Sequence, residues 1–268
     1  MSNVVVSLSG GKDSTYALYE ALKEGLSVSH LLFINTGGKA HLVNRWVLKL
    51  VSEAVEIPAV TVNKELPAIR KALRKLKADT LVSGVMTTPE HMDWYQEVCA
   101  PIQVKHYAPL WGKNPLKALN EMKQLGFHML VIEVNTAIGS SENWLGKEID
   151  DHMLSELKEL ESKRKINPIG EWGEYHTLVL DCPIYKKRIN ILKSEIKWEK
   201  TKGYVVIKKA NLQPKTAKAL TCTCVPFRLR RQFSINYSSA HDSHLHSDVS
   251  NFVRRNCLRV FGKHCEVS

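Results

Sequence analysis

A short apolar run, Val4-Val5-Val6-Ser7-Leu8, passes directly into Ser9-Gly10-Gly11-Lys12-Asp13-Ser14 and from there into a helical pattern. This junction constrains the chain more than any other feature. A helix N-terminus leaves backbone N–H groups without intrahelical partners and carries the positive end of the helix dipole. Two glycines let the backbone turn tightly enough for those amides to surround phosphate oxygens. Ser9 and Ser14 add hydroxyl donors, and Lys12 adds a positive charge. Asp13 is the odd member, because a carboxylate repels phosphate. It is easier to understand if it shares a Mg²⁺ with the phosphates or caps the helix. The plain alternative is a strand-to-helix turn that binds nothing. Neither the Walker A spacing nor the Rossmann Gly-x-Gly-x-x-Gly occurs here.

The rest of the first half repeats the strand–helix alternation. Val28–Ile34, Ala59–Val62, Thr80–Ser83 and His128–Val134 read as strands. The helical stretches are 15–23, 41–55, 67–76, 90–100 and 115–125. On the helix at 41–55, Leu42, Val43, Trp46, Val47, Leu50 and Val51 form one apolar stripe. Strands separated by helices of this length predict an α/β fold with a doubly wound parallel sheet, helices lying on both faces. From 136 onward the rhythm changes to a long charged helix at 147–163 and short β-like runs at 178–180, 189–192 and 204–208. The expected organisation is a nucleotide-binding domain at 1–135, a smaller α+β lobe at 136–214 and a basic Cys/His-containing tail at 215–268.

Composition excludes several classes. No stretch approaches the roughly 20 apolar residues that span a bilayer, and no basic region or cleavage-site pattern precedes Val4. A cytoplasmic protein without a membrane partner is expected. Cys99 and Cys182 each lie alone in apolar segments, as buried reduced cysteines do. The net charge of +11 is concentrated toward the end, with nine Lys and Arg against three Asp and Glu from Lys215 onward. A positive excess suits a protein that handles anions; nucleic acid is not expected as a partner on this ground alone. Cys222, Cys224, His241, His244, His246, Cys257, His264 and Cys265 do not match familiar zinc spacings.

A second constellation is Gly170-Glu171-Trp172-Gly173-Glu174-Tyr175-His176. Gly170 and Gly173 allow close backbone approach to a ligand. Glu171 and Glu174 form a carboxylate pair suited to Mg²⁺, ammonium or a cationic substrate; the bland reading is a hairpin entry with solvated glutamates. His176 suits proton transfer, since its ordinary pKa lies near 6.5, or is a hydrogen-bonded core histidine.

The hexapeptide resembles the SGGxDS signature of the PP-loop ATP pyrophosphatases. Further marks resemble one branch, the diphthine–ammonia ligase family: Ser83-Gly84-Val85, Ala108-Pro109-Leu110-Trp111, Trp144-Leu145-Gly146, the glutamate-rich loop, and Leu178-Val179-Leu180-Asp181-Cys182-Pro183. At Trp172 and His176 the chain departs from members tied to diphthamide, which typically carry a small and an acidic residue there. The resemblance implies ATP with its pyrophosphate on Ser9–Ser14 and its adenine near Asn35, with Ser83 and Gly84 also at the nucleotide. It also implies Mg²⁺ on Asp13, adenylation of a carboxylate, and its amidation by ammonia. Translation elongation factor 2, carrying diphthine, is the implied protein substrate. Lys12, Asp13, Glu171, Glu174 and His176 are the expected catalytic residues. Trp144, Gly170, Glu171, Gly173, Glu174 and Tyr175 are expected at the substrate, whose quaternary ammonium suits Trp172, Tyr175 or Trp144. A homodimer is compatible with the chain. Two rival expectations keep the ATP: adenylation of a tRNA base, and a regulator that binds nucleotide without turnover.

Overall fold

The computed structural model describes residues 3–35, 38–163 and 166–215. The cysteines and histidines from Cys222 to Cys265, and with them the expectation for the basic tail beyond Lys215, lie outside the described residues. A five-stranded parallel sheet comprises β1 (Val4–Ser7), β2 (Val28–Asn35), β3 (Ala59–Asn63), β4 (Thr80–Val82) and β5 (Lys105–Tyr107), in the order β3-β2-β1-β4-β5. The strand order reverses between β1 and β4, so the crevice for a ligand opens beyond their carboxyl ends. Both loops singled out in the sequence leave those ends: Ser9–Gly11 follows β1, and Ser83–Gly84 follows β4. The α/β class and doubly wound parallel sheet are as the alternation predicts.

β1 is buried at every position, as a central strand covered on both faces must be. Helix α1 (Lys12–Lys23) buries Tyr16, Ala17, Leu18 and Ala21. On the opposite face, α4 (Leu66–Lys75) and α5 (Pro89–Cys99) enclose a second core built on Val5, Leu32, Ile69, Leu73, Leu81 and Val98. Cys99 and Cys182 are buried free thiols, with burial pushing them up to about 11 and about 12. No described helix is long and apolar enough to cross a membrane.

The second sheet is antiparallel, in the order β7-β6-β9-β8, from β6 (His128–Asn135), β7 (Tyr175–Asp181), β8 (Lys187–Glu199) and β9 (Lys202–Pro214). It is preceded by α6 (Pro115–Gln124). The sequence pattern places 128–134 in the parallel sheet; instead β6 is a central strand of the antiparallel one. A fully buried apolar strand carries no alternation that reveals its sheet. The expected helix at 147–163 begins later, as α7 (Asp151–Ser162) capped by the Asp150 carboxylate, which accepts from Met153 N–H at 2.8 Å. Residues 146–149 instead run along β6, with Val131 N–H donating to Lys147 O and Ile149 N–H to Met129 O, both at 2.9 Å.

The expected helix at 41–55 is broken into α2 (Lys39–Val43) and α3 (Val47–Val55). Asn44 ends α2 because its side chain serves β9: it donates to Val205 O at 2.7 Å and accepts from Ile207 N–H at 2.8 Å. The break turns Leu42, Val43 and Trp46 outward, off the expected buried stripe.

One close approach holds the two site loops together. A Cβ on Gly84 would lie 2.6 Å from the carbonyl carbon of Asp13 and 2.7 Å from Ser14 N. Backbone cannot yield to a methyl group at that distance. Gly84→Ala is expected to cost about 2 kcal/mol or more of stability, read as a lowered urea midpoint. An unchanged midpoint would mean that the two loops are not packed this way.

Candidate functional site

The helix α1 starts at Lys12 with Gly11 as its N-cap, and Gly10 adopts a positive φ of 78°. Thr15 N–H makes the first intrahelical bond, to Gly11 O at 3.1 Å. The amides before it therefore lie outside the helical ladder. Ser14 Oγ accepts from Ser9 N–H at 3.1 Å and lies 3.1 Å from Ser9 Oγ, which stiffens the turn from within.

The turn is also held by the antiparallel lobe. Val179 N–H donates to Gly10 O at 2.9 Å, and Lys12 N–H donates to Thr177 Oγ1 at 3.0 Å. Thr177 is a residue the sequence reading missed. A hydroxyl inside the strand of residues 175–181 gives no sign from sequence of which loop it meets.

Asp13 is not the helix cap, which removes one of its two sequence readings. The Lys12 ammonium, itself buried, sits 3.0 Å from Asp13 Oδ2, 2.6 Å from Ile169 O and 4.7 Å from the Tyr175 ring centre. The other carboxylate oxygen, Oδ1, is buried with no partner among the described residues. Desolvation raises the Asp13 pKa, Lys12 opposes that rise, and the charge of Glu171 adds to it. A half-buried carboxylate whose buried oxygen has no partner among the described residues, with a second carboxylate nearby, is a place that favours an added cation. Among the described residues no group of three or more His, Cys, Asp or Glu could hold a metal ion unaided.

Both glutamates of the second constellation point inward and accept hydrogen bonds. Glu171 takes Met86 N–H and Thr87 N–H, each at 2.7 Å, Thr88 Oγ1 at 3.0 Å, and Thr87 Oγ1. It therefore ties the loop after β4 to the loop before β7. Glu174 is 1% exposed and accepts Asn167 N–H at 2.6 Å and Trp172 N–H at 3.0 Å. These carboxylates order the rim of the crevice.

The aromatic candidates separate by exposure. Trp144 and Tyr175 are buried, packed edge to face at 5.9 Å, with the Tyr175 hydroxyl donating to Pro168 O at 2.6 Å. Both rings are closed in by packing, Tyr175 beneath the Lys12 ammonium and Trp144 behind Tyr175. Trp172 is 64% exposed and borders an open depression of about 470 Å³ with Ala137, Ile138, Gly139 and Glu174. Gly170 (φ 77°) lies against Tyr175, where a Cβ would meet Tyr175 O at 2.8 Å, whereas Gly173 is open.

His176 stands at a corner formed with His41, Gly38 and Glu133, its ring 5.2 Å from that of His41. Desolvation first, then the positive potential of His41, Lys12 and Lys202, lowers His176 to about 3, and His41 is lowered to about 4. His176 is thus neutral near pH 7, a poor proton acceptor but a competent hydrogen-bonding group. Glu133, also missed, is a buried acid within an apolar strand, and Ala40 N–H donates to it at 2.7 Å. Its signal was the lone charge in the run 129–134. Asn35 ends β2 and donates to Asn63 Oδ1 at 3.1 Å. Ser83 is fully buried, with Oγ 2.7 Å from His106 Nε2, and the His106 ring stacks on Tyr95 at 4.9 Å. Tyr95 OH in turn lies 2.8 Å from Ser7 Oγ, so this chain of contacts joins the ends of β1 and β4.

A reversed parallel sheet, a glycine turn at its switch point and a carboxylate-ordered rim define a Rossmann-like nucleotide-binding protein of the α/β class. The model of the diphthamide synthase N-terminal domain matches residues 2–106, and that of the diphthamide synthase C-terminal domain matches residues 114–213. Relatives named diphthine–ammonia ligase include that of Danio rerio, 28% identical over 219 residues, covering 70% of this chain and 86% of the relative. The human relative is 27% identical over 225 residues, covering 72% and 84%. That of Schizosaccharomyces pombe is 29% identical over 219 residues; the match covers 70% of this chain but only 36% of the longer relative. The chain belongs to the diphthine–ammonia ligase family.

Three histidines held neutral make stability acid-sensitive. His106 is lowered to about 4 by desolvation, alongside His41 and His176. Below about pH 6.5 the unfolded chain binds protons that the folded chain refuses, so stability falls as pH drops from 6.5 toward 4. The melting temperature is expected to fall across that window, and less steeply in His106→Asn. Parallel curves for the two proteins would count against a neutral His106.

Proposed function

We propose that the chain is an ATP-dependent, amide-forming ligase acting in diphthamide biosynthesis. In this reading it adenylates the carboxylate of diphthine on translation elongation factor 2, in the cytoplasm, and amidates it with ammonia. The observation that carries the reading is the turn at Ser9–Ser14, pinned at the switch point with its first amides outside the helical ladder and Asp13 Oδ1 without a partner among the described residues. Membership of a family whose relatives are named for this reaction supports the substrate.

The amides of Ser9–Ser14 left free by the turn's own bonds, with its hydroxyls, bind the pyrophosphate end of ATP, and Lys12 lies close enough to neutralise charge there. Asp13 holds Mg²⁺, which supplies further charge neutralisation when bound. Asn35 and Ser83 lie at the ends of β2 and β4, where the nucleoside extends across the sheet. A carboxylate oxygen of the acceptor attacks the α-phosphorus, the bond to the bridging oxygen breaks, and pyrophosphate leaves. Ammonia then attacks the acyl carbon, the bond to AMP breaks, and the nitrogen loses a proton to give the amide.

Glu171 and Glu174 act as positioning residues, fixing the loop that walls the crevice, and His176 is a neutral hydrogen-bonding group rather than the proton carrier. Trp172, the exposed aromatic beside the 137–139 depression, is placed to meet a quaternary ammonium.

Product analysis tests the chemistry. AMP and pyrophosphate are expected in equal amounts, with Asp13→Asn lowering kcat by roughly a hundredfold or more; ADP and phosphate would reject the mechanism. Mass spectrometry of elongation factor 2 from cells lacking the protein tests the acceptor. Diphthine is expected to accumulate, and normal diphthamide levels would reject this substrate.

A further inference from the structure

The strand β8 is the outer edge of the antiparallel sheet, and from Lys193 to Glu199 every residue is exposed. A long bare edge is normally blunted, because its unpaired amides and carbonyls invite another strand. Asn44 shows which backbone groups of this edge have no strand partner among the described residues. It bonds Val205 O and Ile207 N–H from the side of β9 opposite β8. Val205 faces Ile196, and Ile207 faces Ser194. Within a strand the N–H and C=O of one residue point the same way, so Ile196 and Ser194 direct theirs outward to the open edge. By alternation Trp198 does the same.

The side chains of this edge carry a second pattern. Lys193, Glu195, Lys197 and Glu199 alternate in charge on one face, while Ile196 and Trp198, 53% and 44% exposed, lie on the other. From these two observations we infer that β8 pairs antiparallel with β8 of a second copy of the chain, centred on Ile196. The hydrogen-bonding parity allows two-fold pairings centred on residue 195, 196 or 197. Centring on Glu195 sets it against itself and Lys193 against Lys197. Centring on Lys197 sets it against itself and Glu195 against Glu199. Only the pairing centred on Ile196 sets Lys193 against Glu199 and Glu195 against Lys197, each twice by symmetry. It also places Ile196 on its own two-fold mate, which covers apolar surface. Opposite charges directly across an antiparallel pair stabilise it and like charges destabilise it. The interface is isologous, as a closed dimer requires, and the two antiparallel sheets become one continuous sheet.

Sedimentation velocity of the full chain at low salt tests this, independently of the active-site reading. The wild-type chain is expected to dimerise at micromolar concentration. Glu195→Lys alone and Lys197→Glu alone each place like charges opposite one another at two positions and should weaken dimerisation by roughly tenfold or more. An equimolar mixture of the two variants sets Lys against Glu at every such position and should restore the dimer, as a heterodimer. A wild-type chain that stays monomeric up to about 100 µM, as it would if residues 216–268 or another partner occupied the edge, overturns the inference. So do single variants that dimerise as well as wild type, and a mixture that remains monomeric. Circular dichroism of each variant verifies that these exposed substitutions leave the fold intact.

Discussion

The Ser9–Ser14 turn is held by something outside its own sequence neighbourhood. Val179 N–H on Gly10 O and Thr177 Oγ1 on Lys12 N–H fasten it to the edge strand of the antiparallel lobe. A glycine pair is conformationally loose by nature. Clamped at both ends of the turn, it presents its remaining amides in one arrangement before any ligand arrives, which is the condition for strong electrostatic stabilisation. The second lobe therefore shapes the turn proposed to take the phosphates, and the two sheets share one continuous apolar core from Val6 and Leu18 to Val131 and Val179.

The rim follows the same logic. Glu171 reaches across to the amides of Met86 and Thr87, while Glu174 closes its own loop on Asn167 and Trp172. Charge-assisted bonds of this kind are shorter and stronger than neutral ones, so a segment with two positive-φ glycines stays ordered. Gly84, pressed on the Asp13–Ser14 backbone, completes the ring of contacts. A substrate meets loops already in place, leaving Trp172 as the conspicuous exposed aromatic at this rim.

Local chemistry was legible in the sequence: the turn after β1, the helix that follows it, and the alternation that yields a parallel sheet. Long-range pairing was not. Nothing in the run 128–134 distinguishes a parallel from an antiparallel strand, and the short β5 lies hidden in a stretch that reads as a turn. The role of Glu171 was underdetermined for the same reason, since a carboxylate facing solvent and one capturing amides 85 residues away have the same sequence signature. Tyr175 and Trp144 have the composition of a cation-binding cage, and only packing shows that Tyr175 lies beneath Lys12 with Trp144 buried against it. The break at Asn44 depends on two bonds to β9, 161 and 163 residues distant.

The central claim is that the backbone beyond β1 binds the pyrophosphate end of the nucleotide. A crystal structure with a non-hydrolysable ATP analogue and Mg²⁺ tests it most directly. The β- and γ-phosphate oxygens should lie within hydrogen-bonding distance of amides in Gly10–Ser14, with Asp13 Oδ1 at the metal. Phosphates bound elsewhere, or a Ser9–Ser14 turn left untouched by the analogue, would contradict the account.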